Sequence, residues 1–267
     1  MNLKLFYLFL VVCSIPFFSF SQNQIKDDFK YRVTYELTYA LDSTKLNSKK
    51  KDVMILLIGD DHSVFSSRAR FFRGEIITKL NSGSTSKAAK TDFPYTIIKS
   101  TKDKKLFYTM QIAKDFFYYD QKLDLFQWQL HAETMMIEDY KVQKATTTYA
   151  GRDYIAWFTE EIPVADGPFK FSGLPGLILK IADRHNHYEY KFASLERLEP
   201  KQPFKLKLRR YVKTTKRELF ELRYRFRRDP FTYENNPNIT ISPETHKKYI
   251  ERFTEMLESE NNPIEKD

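Results

Sequence analysis

The clearest pattern along the chain is a two-residue alternation of apolar and polar positions. From Phe29 to Leu41, Tyr31, Val33, Tyr35 and Leu37 fall on one side, and Arg32, Thr34, Glu36 and Thr38 on the other. That period predicts a strand with one wet face. Val53–Ile58 is a short continuous apolar run of the kind that forms a buried strand, and Ser63–Ser67 returns after a turn at Gly59-Asp60-Asp61-His62. The segment from Phe93 to Tyr119 divides into two or three strands, the first turn being Lys102-Asp103-Lys104, and Phe126–Ile137 continues the sheet. Lys141–Tyr149 and Gly151–Thr159 are the arms of a hairpin about a short Gly-containing turn. Leu177–Ile181 and His187–Leu195 form another across Asp183-Arg184-His185-Asn186, and Phe204–Tyr211 alternates once more.

Helical spacing is confined to three places. Phe72, Ile76, Ile77 and Leu80 suggest a helix within Arg68–Leu80, against which Gly74 counts. Thr214–Arg228 predicts a strongly basic helix that stops before Pro230. Ser242-Pro243 supplies an N-cap and a first helical residue, and Tyr249, Ile250, Phe253, Met256 and Leu257 form the apolar stripe that follows. About ten strands followed by helices predict an α+β, mostly β fold. The expected form is a curved antiparallel sheet, half-barrel-like, with one or two C-terminal helices packed on it.

Between the two hairpins the pattern breaks. Pro163, Gly167, Pro168, Gly173, Pro175 and Gly176 punctuate a loop that delivers the chain into Leu177–Ile181. Proline removes a backbone donor, so this segment is not a central strand throughout. Pro175-Gly176 suits the middle of a type II turn, with a positive φ at the glycine. A structural role is therefore expected for the run Gly173, Leu174, Pro175, Gly176, Leu177, Ile178. That run, the residues leading to it from Ala156, the opening at 31–43 and the ending at 261–267 resemble the GLPGLI family of Bacteroidetes envelope proteins. The resemblance implies export and a β-rich fold. It implies no reaction and no catalytic residues.

Composition narrows the chemistry. Met1–Ser21 reads as a secretory signal: Lys4, a largely apolar run from Leu5 to Phe18, then Ser19-Phe20-Ser21 as a small-x-small cleavage site. This leaves residues 22–267 as the expected single mature domain with no transmembrane span, located in the periplasm, at the outer membrane or outside the cell. The lone cysteine, Cys13, lies in the signal, so the mature chain has neither disulfide nor thiolate chemistry. The net charge of +9 favours anionic partners in general, and export argues against nucleic acid as one of them. A lipid, a peptide or another envelope protein is the expected partner, and nothing in the pattern sets an oligomeric state.

Candidate chemistry is sparse. Asp183, His185 and His187 alternate and have metal-ligand identities, but they also make a solvated hairpin turn, which is the preferred reading; no metal or cofactor is expected. Glu160, Glu161 and Asp166 offer an alternative as acid–base groups of an envelope hydrolase. Arg152, Tyr154, Trp157, Phe169 and Phe171 are the candidates for a binding surface. Aromatics on the concave side of a curved sheet suit an apolar ligand. With 16% aromatic residues, core packing competes for the same side chains. The expectation is a non-enzymatic binding, carrier or assembly module.

Overall fold

The structure is a computed structural model and describes residues 24–71, 90–234 and 241–266. The expected signal segment and the residues Phe72 to Leu80 of the first helix lie outside the described residues. Among those described, twelve strands form one curved sheet in the order β12-β6-β5-β4-β3-β2-β1-β11-β10-β9-β8-β7. They are β1 (Gln24–Tyr39), β2 (Lys50–Ile58), β3 (His62–Ser67), β4 (Tyr95–Ser100), β5 (Lys105–Ile112), β6 (Asp115–Lys122), β7 (Gln129–Ile137), β8 (Tyr140–Tyr149), β9 (Arg152–Thr159), β10 (Leu177–Asp183), β11 (Tyr188–Lys207) and β12 (Val212–Lys213). A helical turn, α1 (Arg68–Phe71), follows β3. Three helices come late: α2 (Lys216–Arg228), α3 (Pro230–Glu234) and α4 (Pro243–Ser259).

The expected mostly-β class is thus found, with three departures in detail. Phe204–Tyr211 is not a separate strand: its first residues are the end of β11, which pairs with β1 over nearly the full length of both. Trp128 precedes β7 rather than lying within it. The sheet is not wholly antiparallel, because β12 pairs with β6 in parallel through two residues. The helix expected from Thr214 starts at Lys216, with Thr215 and Glu218 forming a reciprocal cap. Ser242 caps α4 as expected, accepting from the Thr245 N–H.

Alternation decides which side chains go where. On β2, Met54, Leu56 and Ile58 enter the main core, while Ile55 and Leu57 enter a second cluster on the opposite face. The second cluster closes because β1 and β11 are long. Their far ends, carrying Ile25, Phe29, Phe204 and Leu206, cover the outward apolar residues of β2 to β5. The inner face has a richer aromatic lining: Tyr108 stacks on Tyr119 directly opposite it, at 5.0 Å between ring centres, and Tyr95 meets Tyr108 at the same distance.

The punctuated loop from Glu160 to Gly176 lies across this inner face. Lys99, on the inward side of β4, is 2% exposed, and its ammonium is held by the Asp166 carboxylate and the carbonyls of Gly167 and Phe171. Tyr35 donates to the Ile178 carbonyl at 2.8 Å from the other side. The expected positive φ at Gly176 is not found; within the motif it occurs at Gly173, at 93°. Gly176 is required for another reason. Any Cβ there would sit 2.0 Å from the Thr159 carbonyl oxygen, so the chain crosses β9 backbone against backbone. The β8–β9 turn is the tighter two-residue form, with both Ala150 and Gly151 at positive φ.

Two outcomes follow. Gly176→Ala should destabilise by about 3 kcal/mol or more, because backbone cannot yield as a side chain does. Gly173→Ala, whose Cβ would meet only Trp128 at an ordinary 3.8 Å, should cost only about 1–2 kcal/mol for its positive φ; urea unfolding of both variants measures the order. The second outcome concerns Asp27, whose carboxylate accepts the N–H groups of Asp28, Asp60, Asp61 and His62. Burial alone would raise its pKa, but these donors hold it below the usual carboxylate value. Its contribution is therefore present above the unfolded pKa of about 4 and lost as pH falls below it. The stability gap between wild type and Asp27→Asn at pH 7 should close in acid.

Candidate functional site

Helix α2 packs on the inner face over β5 and β6 through Leu219, Phe220, Leu222 and Phe226. Its spacing has a second consequence. Lys216, Phe220, Arg223 and Arg227 fall at intervals of four, three and four, so they share one helix face. That face looks onto a cavity of about 1360 Å³ between the helix and the sheet. The sheet contributes Tyr95, Tyr108, Met110 and Ile112, the approach to β4 contributes Asp92 and Phe93, and the crossing loop contributes Phe169.

The remaining wall is the segment after α4. It turns back along the inner face and is fixed by buried polar groups. Asn262 donates to the Ala40 carbonyl at 2.6 Å, and its backbone N–H to the Leu41 carbonyl at 2.9 Å. Tyr188 donates to the Asn262 carbonyl and Tyr154 to the Ile264 carbonyl. The Arg152 guanidinium reaches Asp183 at 3.2 Å, the Asn262 side chain at 2.5 Å and the Pro263 carbonyl at 2.6 Å. Glu265 ends the run. Its carboxylate takes Lys170 at 2.5 Å, the Tyr149 hydroxyl at 2.6 Å and Lys216 at 3.5 Å.

Lys170 is fully buried, with the rings of Tyr108, Tyr119, Tyr149 and Phe169 at 5.4–6.0 Å from its ammonium. The Tyr119 hydroxyl lies 3.0 Å from the same ammonium. Burial pushes the phenol pKa values of Tyr108 and Tyr119 far up, so both stay neutral. This arrangement is a cation in an aromatic box with one carboxylate. It orders the wall; its ammonium is occupied.

The residues singled out from sequence separate into two roles. Phe169 lines the cavity. Phe171 packs beneath it against Tyr154, Phe126 and Trp128. Arg152 and Tyr154 hold the returning segment. Trp157 is half-buried and points to the other face of β9 from Tyr154. Among the acid–base candidates, Asp166 is engaged with Lys99, Glu161 accepts the Lys141 N–H at 2.9 Å, and Glu160 is exposed; none lines the cavity. Asp183 is occupied by Arg152 and the Tyr188 N–H, and no group of three His, Cys, Asp or Glu side chains among the described residues is placed to hold a metal. Among the described residues no helix is long and apolar enough to cross a membrane.

Sequence reasoning missed Phe220 and Arg223, because α2 read only as a strongly basic helix packed on the sheet. The 4-3-4 spacing was the available signal. Lys99 and Lys170 were missed as well. Lys99 shares the inward parity of Tyr95 and Ile97, and Lys170 sits between two core phenylalanines.

Open curved β-sheets packed with late helices are the class to which this geometry belongs. A family described as "Protein of unknown function (Porph_ging)" matches residues 150–180. These residues contain the whole Gly173–Ile178 run. No curated protein matches the sequence. Two crystal forms of PNGF-II, in space groups C2 and P21, are similar in structure, with TM-scores of 0.54 and 0.55 and 15% identity in each case. The alignment covers 74% of this chain and 33% and 34% of PNGF-II, so the chain spans about a third of that protein's length. At this identity the likeness concerns the fold alone.

The returning segment gives a direct test of its own. Glu265→Ala should cost about 3–5 kcal/mol by removing the carboxylate that Glu265 sets against the buried Lys170 ammonium. Pairing Lys170→Met with Glu265→Leu should recover most of that loss in denaturant unfolding.

Proposed function

We propose that this is an exported cell-envelope binding protein that holds an elongated apolar ligand between α2 and the inner face of the sheet. The observation that carries this reading is the cavity itself. Its volume of about 1360 Å³ exceeds the range of about 300–1,000 Å³ usual for sites that take small molecules. Its sheet wall is built of Tyr95, Tyr108, Met110, Gln111 and Ile112, none of which carries a charge. Export rests on the signal-like first 21 residues.

A carrier reading also fits the division of labour in the fold. The outer apolar residues are covered by the ends of β1 and β11, and most of the inner face by the crossing loop. The stretch of β4 and β5 beneath α2 is covered by that helix, with Phe220 against Tyr108 at 5.8 Å between ring centres, and borders the cavity.

The test is native mass spectrometry and solvent extraction of the mature protein, with hexadecanol as an uncharged probe in titrations. Met110→Trp, which adds volume from the sheet wall, should weaken hexadecanol binding about tenfold or more; because Met110 is fully buried, the variant should also lose about 1–3 kcal/mol, and urea unfolding confirms that it is folded. Unchanged binding in a folded Met110→Trp protein, or no binding by wild type, overturns the reading.

A further inference from the structure

Of the cations along the cavity wall, Arg223 is partly buried and has no ion pair among the described residues, whereas Arg225 and Lys266, also without one, are exposed. Arg227 is paired in bidentate fashion with Glu260, at 2.5 and 2.7 Å. Arg217 is paired with Glu221, and Lys216 with Glu265. Arg223 is partly buried, and it makes one hydrogen bond, from Nη2 to the Asp92 carbonyl at 3.2 Å. Among the described residues no carboxylate lies within ion-pair distance of it. The acids nearby are committed elsewhere: Asp92 takes the Tyr39 hydroxyl at 2.7 Å and Lys50 at 2.9 Å, and Glu260 takes Arg227.

A guanidinium drawn out of water without a counter-ion is unfavourable, and burial together with the like charge of Arg227 depresses its pKa. Arginine nonetheless stays protonated at neutral pH. Such a group gains most from an anion delivered into the cavity. Tyr108 and Tyr95, both lining the cavity, lie close enough to feel its charge, and burial keeps both phenols neutral. They add no competing negative charge. Phe220, one turn away on the same helix face, and Met110 on the facing strand provide an apolar path leading from the cation.

We propose that Arg223 is the head-group subsite of the cavity and that the ligand is a long-chain carboxylic acid. The carboxylate meets the planar guanidinium fork, and the hydrocarbon lies along Tyr108, Met110 and Phe220. A carboxylate suits the site better than a phosphate monoester. It is planar and bidentate, like the fork it meets. It also carries one charge, where a phosphate monoester carries about 1.5 to 2 at neutral pH. Arg223 matches that single charge, since Lys216, Arg217 and Arg227 beside it already hold carboxylate partners.

This inference rests on the binding reading above, and the experiment separates the two. Palmitate, hexadecanol and hexadecyl phosphate are titrated into mature wild type, Arg223→Met and Arg223→Lys. Wild type should bind palmitate about tenfold or more tighter than hexadecanol, and tighter than hexadecyl phosphate. Arg223→Met should lose that preference while still binding hexadecanol, and its urea-unfolding midpoint certifies that the variant is folded. Arg223→Lys should keep part of it. Equal wild-type affinity for palmitate and hexadecanol, tighter binding of the phosphate, or a preference that survives in Arg223→Met overturns the head-group assignment and leaves the apolar cavity standing. Failure of all three ligands to bind wild type removes both.

Discussion

The structure depends on one buried cation. Lys99 stands on the inward side of β4, where an alternating strand would ordinarily place an apolar residue. Its ammonium has no water to face, so it must be met by protein. The Asp166 carboxylate and two loop carbonyls meet it, and in doing so they bind the crossing loop to the sheet. Removing either charge would strand the other in the interior. Tyr35 then bonds the exit of the loop at Ile178. An open sheet with two apolar faces needs something to cover its inner side. Here a loop rich in Pro and Gly does so, because its polar backbone is satisfied from below.

Much of this was legible from the sequence. Period-two patterning located most of the strands, and the serine–proline pair placed the start of α4. The Pro/Gly loop was recognisable as a structural crossing. Its physical reason was not. Pro-Gly suggests a positive φ by local turn chemistry, whereas Gly176 is required by the passage of a distant strand at Thr159. No local rule reports a non-local contact. The same limit applies to Arg152. Its residue type pointed to a ligand, but its partners are Asp183 and the segment after α4, more than a hundred residues away. The site was hardest to read where charge misled. A helix with six Lys or Arg among thirteen residues reads as solvated; only the spacing of Phe220 and Arg223 reveals that a mixed face turns inward.

The buried lysines share a logic with the aromatic content. Lys170 is boxed by rings that also line, or lie beneath, the cavity. A tyrosine there serves twice, presenting an apolar face to the interior and a neutral oxygen to a cation. This explains how so many rings can be used in a chain of this size without forming a single greasy core. They divide between a half packed under the loop and a half under α2 that borders the cavity.

The wall made by Asn262 to Glu265 has a consequence for biogenesis. Its anchors lie 222 positions away at Ala40 and 110 away at Arg152. Contacts of such separation form late and slowly, since the intervening chain must first be ordered. A nascent polypeptide therefore has its sheet residues made long before the chamber can close. During that interval the ring-lined floor is bare, and a holding chaperone would have a ready surface to grip.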